Sequence, residues 1–579
     1  MSAKTMRLGG VLSFVQQVLL DSAFVADMGP YPSSSSQSSG PPSIERENGM
    51  QLHDRKGPHV GEGAVMHDHN GTKEAGYEID EVDATKSTSA DRFQMERMGK
   101  DQVFVRHFKP MATFSFVAMA TSVWEFGIFS ISQGLVDGGR AGLIWSTIVH
   151  AIGFIPIVLS MAEMASIAPT AGSQYHWVSE FAHPKVQKLL SYYTGWISTL
   201  AWQAGNAIGV FLTGTLIQVI ILENNPNSFP NWHGSLLVIA NILITVTGNI
   251  FLTRYIPRVQ TAFFVLHILT FFAVMIPICI NAPKASAREV FADFQNLGGW
   301  PNMGVALMDG QLSAIYMMCG MDSSCHISEE VRDAAKSVPR SMMSIYVVNV
   351  TITLAAWFII CIAMPDVELA LEHPSLYPFI QVMEQSMSIT WVTVELTLIV
   401  ALVLFANVCY LTAVSRDLFA FARDGGTPFH QWVAYVHPKY RAPVNAVYVT
   451  SAFSFLLSLI YIGSSTAFYA ITSLMTVALL QCYMFSISSI LWRRIYLPET
   501  IPESHFSLGR WGIPINAIAV VWCAWAFFWS FCPQAIPITG DGFNWASVIF
   551  IGVILVATVH YFVSGHKTYH GPVTLVKRM

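Results

Sequence analysis

From Pro110 onward, apolar stretches of about 20 residues alternate with short polar connectors, the length a helix needs to cross a hydrocarbon core of about 30 Å. Twelve such stretches can be bracketed, at 112–136, 142–166, 191–221, 234–253, 257–281, 303–323, 342–364, 390–414, 444–463, 467–491, 512–532 and 545–565. The third is long enough to predict a tilt. The sixth is interrupted: its apolar run through Ala314, Ile315, Tyr316, Met317 and Met318 meets Gly320 and Asp322, then a solvated segment containing Glu329, Glu330, Arg332 and Arg340. A carboxylate beside a glycine at that depth fits two arrangements. Either the helix opens and its freed backbone groups face a ligand, or the helix simply ends with Asp322 in water.

The chain before these stretches reads differently. Lys4 and Arg7 precede an apolar run, Leu8 to Leu20, that is too short to span and contains Gln16 and Gln17. It fits an amphipathic surface segment better than a cleaved signal. Residues 30–109 are rich in Ser, Gly, Pro and charge, as in SSSSQSSGPPS, and lack the apolar content to fold. The expected organisation is a disordered tail over 1–109, a helical membrane domain over 110–566 and a short tail over 567–579.

Composition sharpens the class. Only 12% of the 579 residues are charged, about half the proportion of a soluble domain, so the chain is read as an all-α polytopic membrane protein with the lipid bilayer as its surroundings. The net charge of −5 without a basic block argues against nucleic acid as a partner. The eight cysteines lie in or beside apolar stretches without CxxC spacing, so neither a disulfide scaffold nor a metal site is expected. Lys and Arg concentrate in alternate connectors, including Lys185, Arg258, Lys336, Arg416, Arg423 and Arg494. The positive-inside rule then predicts that both termini are cytoplasmic.

Titratable residues within the stretches are few. Glu125 sits near the middle of the first, between Trp124 and Gly127. This arrangement could receive an ammonium group through charge and cation–π attraction, or pair with a neighbouring helix. His267 in the fifth stretch could exchange protons near neutral pH or be a satisfied core histidine. Glu163 is expected to contact the segment ending at Gln174–Trp177, while Trp202, Gln203, Asn206 and Asn407 could serve interhelical hydrogen bonds or line a cavity. Arg416 and Arg423, seven residues apart, could pair with Glu329 or Glu330 as an inner gate or as static ion pairs. No GxSxG, HExxH or phosphate-binding loop occurs in a suitable setting, so nothing in the sequence argues for an enzyme or for a cofactor.

Several of these segments, taken in order, resemble the amino acid–polyamine–organocation superfamily, and within it the fungal amino acid/choline/GABA permeases. They are SMAEMAS at 160–166, PTAGSQYHW at 169–177, GMDSSCHISEE at 320–330, SRD at 415–417, ARDGG at 422–426, PVNA at 443–446 and LGRWG at 508–512. Two segments depart from the pattern: Trp124–Gly127, where many members carry small residues, and Arg140, where Pro is usual. The resemblance implies twelve helices, a five-plus-five inverted repeat, broken first and sixth helices and alternating access, commonly coupled to protons.

These expectations combine into a plasma-membrane permease that imports an amino acid or small amine, such as GABA or choline, by proton symport. Trp124 and Glu125 would receive the ammonium group, backbone near Gly127 and Gly320 any carboxylate, and Tyr316 would shield the pocket. Asp322 and His267 would link the cycle to a proton co-substrate, and Glu330 with Arg416 would gate the inner side. A sensor that binds without transport, and a vacuolar transporter, remain open alternatives.

Overall fold

The computed structural model describes residues 87–225, 231–252, 255–375, 377–459, 467–540, 542–574 and 576. Among them, ten helices are long and apolar enough to cross a membrane, and no strand is present. The ninth predicted stretch is the shorter helix Val444–Ser458, which leads into residues outside the described set.

The tail expected over 1–109 lies outside the described residues as far as residue 86. Beyond it the expectation fails. Ser89–Arg97 forms a helix, α1, started by a capping box between Thr88 and Asp91. The Asp91 carboxylate also accepts the backbone N–H groups of Asp333 and Ala334, at 3.0 and 3.1 Å. Phe108 pairs with the chain at Val331 as a one-residue parallel bridge. Local composition read this segment as too polar to fold, but its polar groups are satisfied by distant partners.

The first stretch is two helices, α2 (Pro110–Thr121), opened by proline at its first turn, and α3 (Val123–Phe129). Ser122 separates them in a left-handed conformation, φ 37°, and its hydroxyl donates to the Met119 carbonyl at 2.8 Å. Such a local side-chain bond competes with the helix. The break therefore falls before Trp124, not at Gly127. Gly127 lies inside α3, where a side chain would press on Met317 and Trp357, each about 3.2 Å from its Cβ position. Its role is close packing.

The long third helix, α4 (Gln187–Asn224), runs through the centre of the bundle, largely buried. The fifth, α5 (Ile256–Asn281), is more peripheral. The sixth stretch comprises α6 (Met303–Gly310), α7 (Leu312–Met318) and the single turn α8 (Ser323–His326). Between α7 and α8 the chain unwinds at Cys319–Asp322, with Gly320 at φ 83°, a conformation that favours glycine. The seventh, eighth and tenth stretches are α9 (Ala334–Ile362), α10 (Ile389–Arg423) and α11 (Ala467–Tyr496). α4 packs along both α10 and α11. Peripheral helices expose Ile280, Val521, Phe528 and Val563, side chains suited to hydrocarbon and not to water.

Candidate functional site

The breaks in the first and sixth stretches meet at one buried cavity of about 40 Å³, room for two or three waters at most. Thr121, Val123 and Phe126 line it from the first stretch, Tyr316, Cys319 and Gly320 from the sixth, Asn407 and Tyr410 from α10, and Gly205 and Gly209 from α4. The two α4 glycines, one turn apart, hollow out the cavity: a methyl at Gly205 would overlap the Tyr410 hydroxyl, and one at Gly209 would overlap Asn407 Oδ1. Asn407 donates to the Gly209 carbonyl at 3.1 Å and to Thr213 at 2.8 Å, while the Tyr410 hydroxyl finds no partner among the described residues. The cavity wall is therefore mostly apolar with a few oriented polar groups, as small-ligand sites are.

Of the residues expected to bind substrate, Tyr316 and Gly320 line this cavity. Trp124, Glu125 and Gly127 do not. Glu125, fully buried, turns toward α5 and meets His267 Nδ1 at 2.6 Å. The Trp124 ring lies between His267 and Phe271, with centroids 5.9 and 5.7 Å away. Residues expected to serve substrate and proton separately thus form a single pair. Glu163 is also placed differently from expectation: it binds Arg494 at 2.5 Å and the Leu508 N–H at 2.9 Å, not the segment around Gln174. Gln203 and Asn206 donate to Thr450 and Ser454, so they serve interhelical bonding.

A second cluster lies beside the sixth break. Asp322, fully buried, accepts from the Tyr483 hydroxyl and from Gln174 Nε2, each at 2.5 Å. It is therefore not a helix end in water. The Tyr483 oxygen in turn accepts the Gly320 N–H at 3.2 Å. His326, one helical turn after Asp322, and Asp417 complete the cluster. Sequence reasoning missed both as functional candidates, although the i, i+4 spacing of Asp322 and His326 places them on one helical face.

Beyond this cluster, at the end of the bundle richest in Lys and Arg, several ion pairs are wholly or largely buried. Arg416 Nε meets Glu330 at 2.9 Å, Arg423 grips Glu329 through two bonds at 2.8 and 2.9 Å, and Lys100 meets Asp424 at 2.7 Å. Burial alone would raise the Glu329 carboxyl, but Arg423 holds it down at about 2. Asp424 is likewise held below the usual carboxylate range against the effect of burial, by Lys100 and Arg423. The N-terminal segment joins this closure: Phe104 packs edge-on against Phe419, centroids 5.2 Å apart, and the Arg416 guanidinium lies over its ring. At the far end of α4, Glu223, His373 and Glu384 bring three ligand atoms within 4.8 Å of one another, a grouping that could hold a metal ion.

A nearly all-helical bundle in which two broken helices meet at a small central cavity has the architecture of a secondary transporter. The chain belongs to the amino acid permease family, whose model matches residues 111–555. It is an integral membrane protein. It is 28% identical over 519 residues to the GABA-specific permease of Saccharomyces cerevisiae, covering 86% of this chain and 88% of that one. With amino-acid permease 2 of Neurospora crassa it shares 25% identity over 513 residues, covering 87% and 93%. With the choline transporter of Saccharomyces cerevisiae it shares 24% over 456 residues, covering 78% and 80%.

Proposed function

We propose that this protein imports an amino acid or small amine, such as GABA or choline, across the plasma membrane by proton symport with alternating access. The observation that carries this reading is the single cavity shared by both helix breaks. At about 40 Å³ it is too small for such a substrate, so in this reading the bundle widens there, opening to one side at a time, to admit one. The basic end is taken as cytoplasmic, with both termini on that side, and twelve helices in a five-plus-five inverted repeat belong to the same reading.

In this mechanism the cationic end of the substrate meets the rings of Phe126, Tyr316 and Tyr410 and the carbonyl end of α2. Backbone exposed at Gly320 receives a carboxylate where the substrate has one. The Glu125–His267 pair, outside the cavity, fixes the orientation of α3, and Asp322 couples the sixth break to the proton. Glu330–Arg416 and Glu329–Arg423 form the inner gate.

The test is uptake of labelled GABA, choline and a panel of amino acids into yeast lacking its own permeases, at acid and neutral pH, with and without a protonophore. Concentrative uptake abolished by the protonophore is expected. Glu125→Gln, which keeps a hydrogen-bonding side chain, should retain substrate selectivity and lose rate. No flux of any substrate, with the protein shown at the surface, would refute the transport reading and favour a binding-only sensor.

A further inference from the structure

Buried titratable side chains meet within the bundle at Glu125 with His267, at Asp137 with Asp309 through Gln133, and at Asp322 with His326 and Asp417. Only the last is joined to the cavity by an unbroken chain of contacts. Gly320 N–H donates to the Tyr483 hydroxyl at 3.2 Å, that hydroxyl donates to Asp322 Oδ1 at 2.5 Å, and Asp322 Oδ2 faces His326 Nε2 at 3.7 Å.

The geometry determines which histidine nitrogen is available. His326 Nδ1 lies 2.9 Å from the Ala171 carbonyl, which can only accept, so Nδ1 carries a hydrogen in either charge state. Nε2 is then the atom whose protonation changes. It is buried, has no hydrogen-bond partner among the described residues, and stands just beyond bonding distance of Asp322. Asp417 Oδ1 lies 3.5 Å from Nδ1, and the Trp202 ring packs edge-on to the imidazole at 4.5 Å.

We propose that His326 Nε2 is the proton-carrying atom of the transport cycle, with the Asp322 and Asp417 carboxylates stabilising its imidazolium. This rests on the proton-symport reading above. The step balances simply. A proton from the outer side adds to the Nε2 lone pair, the imidazolium closes on Asp322, and the same proton leaves from Nε2 to the inner side. Substrate enters the linkage at Gly320: a group that takes this N–H releases the Tyr483 oxygen and changes the bonding of Asp322. Two carboxylates and one imidazolium leave one net negative charge. The other titratable groups in electrostatic reach of these carboxylates are Tyr410, Tyr483, Cys319, Cys325 and Cys482. The charges next along the chain, Glu329 and Glu330, are already neutralised by Arg423 and Arg416.

The experiment compares concentrative uptake with exchange of internal for external substrate in wild type, His326→Gln and Asp417→Asn. In His326→Gln, concentrative uptake should be lost and exchange retained at near wild-type rate. Asp417→Asn, which removes one of two charges favouring the imidazolium, should shift the pH for half-maximal uptake down by about one unit. This appears as roughly a tenfold loss at neutral pH, recovered at lower pH.

Unchanged pH profiles in both variants overturn the proposal and leave the permease reading standing. Loss of exchange together with uptake in His326→Gln of wild-type thermal stability also overturns it, making His326 a packing residue. If His326→Gln does not fold, the Asp417→Asn profile decides. If neither folds, the heat of substrate binding to wild-type protein in two buffers of different ionisation enthalpy decides, and binding without proton uptake overturns the proposal. Wild-type flux that is insensitive to both pH and protonophore removes the symport reading and the proposal with it. Absence of any wild-type flux is the distinct failure of the transport reading.

Discussion

Opening the inner gate provides the most direct test of the mechanism, through Arg423→Ala. The guanidinium holds Glu329 with two charge-assisted hydrogen bonds, and the Glu329 side chain is only 1% exposed. Removing one partner of a buried pair costs about 3–5 kcal/mol, because the other charge is stranded. Lys100 and the Ala171 N–H, 3.4 Å away, still favour the carboxylate in the closed state, which lowers the penalty to roughly 2–3 kcal/mol. An open inner side relieves that penalty by hydrating Glu329. The closed-to-open ratio should therefore fall by roughly 30- to 150-fold, at 1.4 kcal/mol per factor of ten. Cys319 provides a native reporter, since it lines the cavity and is buried when the bundle is closed. With Cys279 and Cys532, the more accessible thiols, replaced by serine, a membrane-impermeant maleimide applied to inside-out vesicles should alkylate Cys319 faster by about that factor. Arg423→Lys keeps the charge but loses the fork, so it should fall between wild type and alanine. A Cys319 rate within twofold of wild type, in folded Arg423→Ala protein, would refute the reasoning.

The ion pairing of Arg416 and Arg423 was legible in the sequence, because charge spacing on a helix is a local property. The seven-residue interval between Arg416 and Arg423 already aligned them with Glu329 and Glu330. The membrane class and the sixth break were legible for the same reason: hydropathy runs and a glycine beside a carboxylate are read directly from neighbouring residues. Side-chain direction was not. Trp124 and Glu125 stand one and two residues beyond Val123, a cavity residue, yet each position along a helix turns by about 100°. That rotation points them at α5. The resemblance implied a broken first helix, but the position of the break was not legible: Trp124–Gly127 holds the nearby glycine, while the chain breaks at Ser122, whose hydroxyl bonds the Met119 carbonyl. Residues 88–109 were misread for a different reason. Their polarity is offset by Glu180, Asp424 and the start of α9, partners 80 to 330 residues away that no local window contains.

Two further outcomes follow from the same geometry. Gly205→Ala and Gly209→Ala should each abolish substrate uptake while leaving surface expression near wild type, since the added methyl meets Tyr410 or Asn407 at the cavity wall; uptake above half of wild type in either would show that the cavity is not the substrate site. The gate should also be insensitive to cytoplasmic acidification across the physiological range. Glu329 and Asp424 are both depressed carboxylates, so their contribution to closure is complete above the ordinary carboxyl range near 4.5 and is lost only as pH falls, for Glu329 toward about 2. In His326→Gln vesicles, where the proposed proton carrier is absent, Cys319 alkylation should therefore be constant from pH 7.5 to 5.5 once corrected for reagent chemistry. A severalfold rise over that range would mean that the gate itself titrates. The pH dependence of transport could not then be assigned to the cluster around His326, whatever the behaviour of the Asp417→Asn variant.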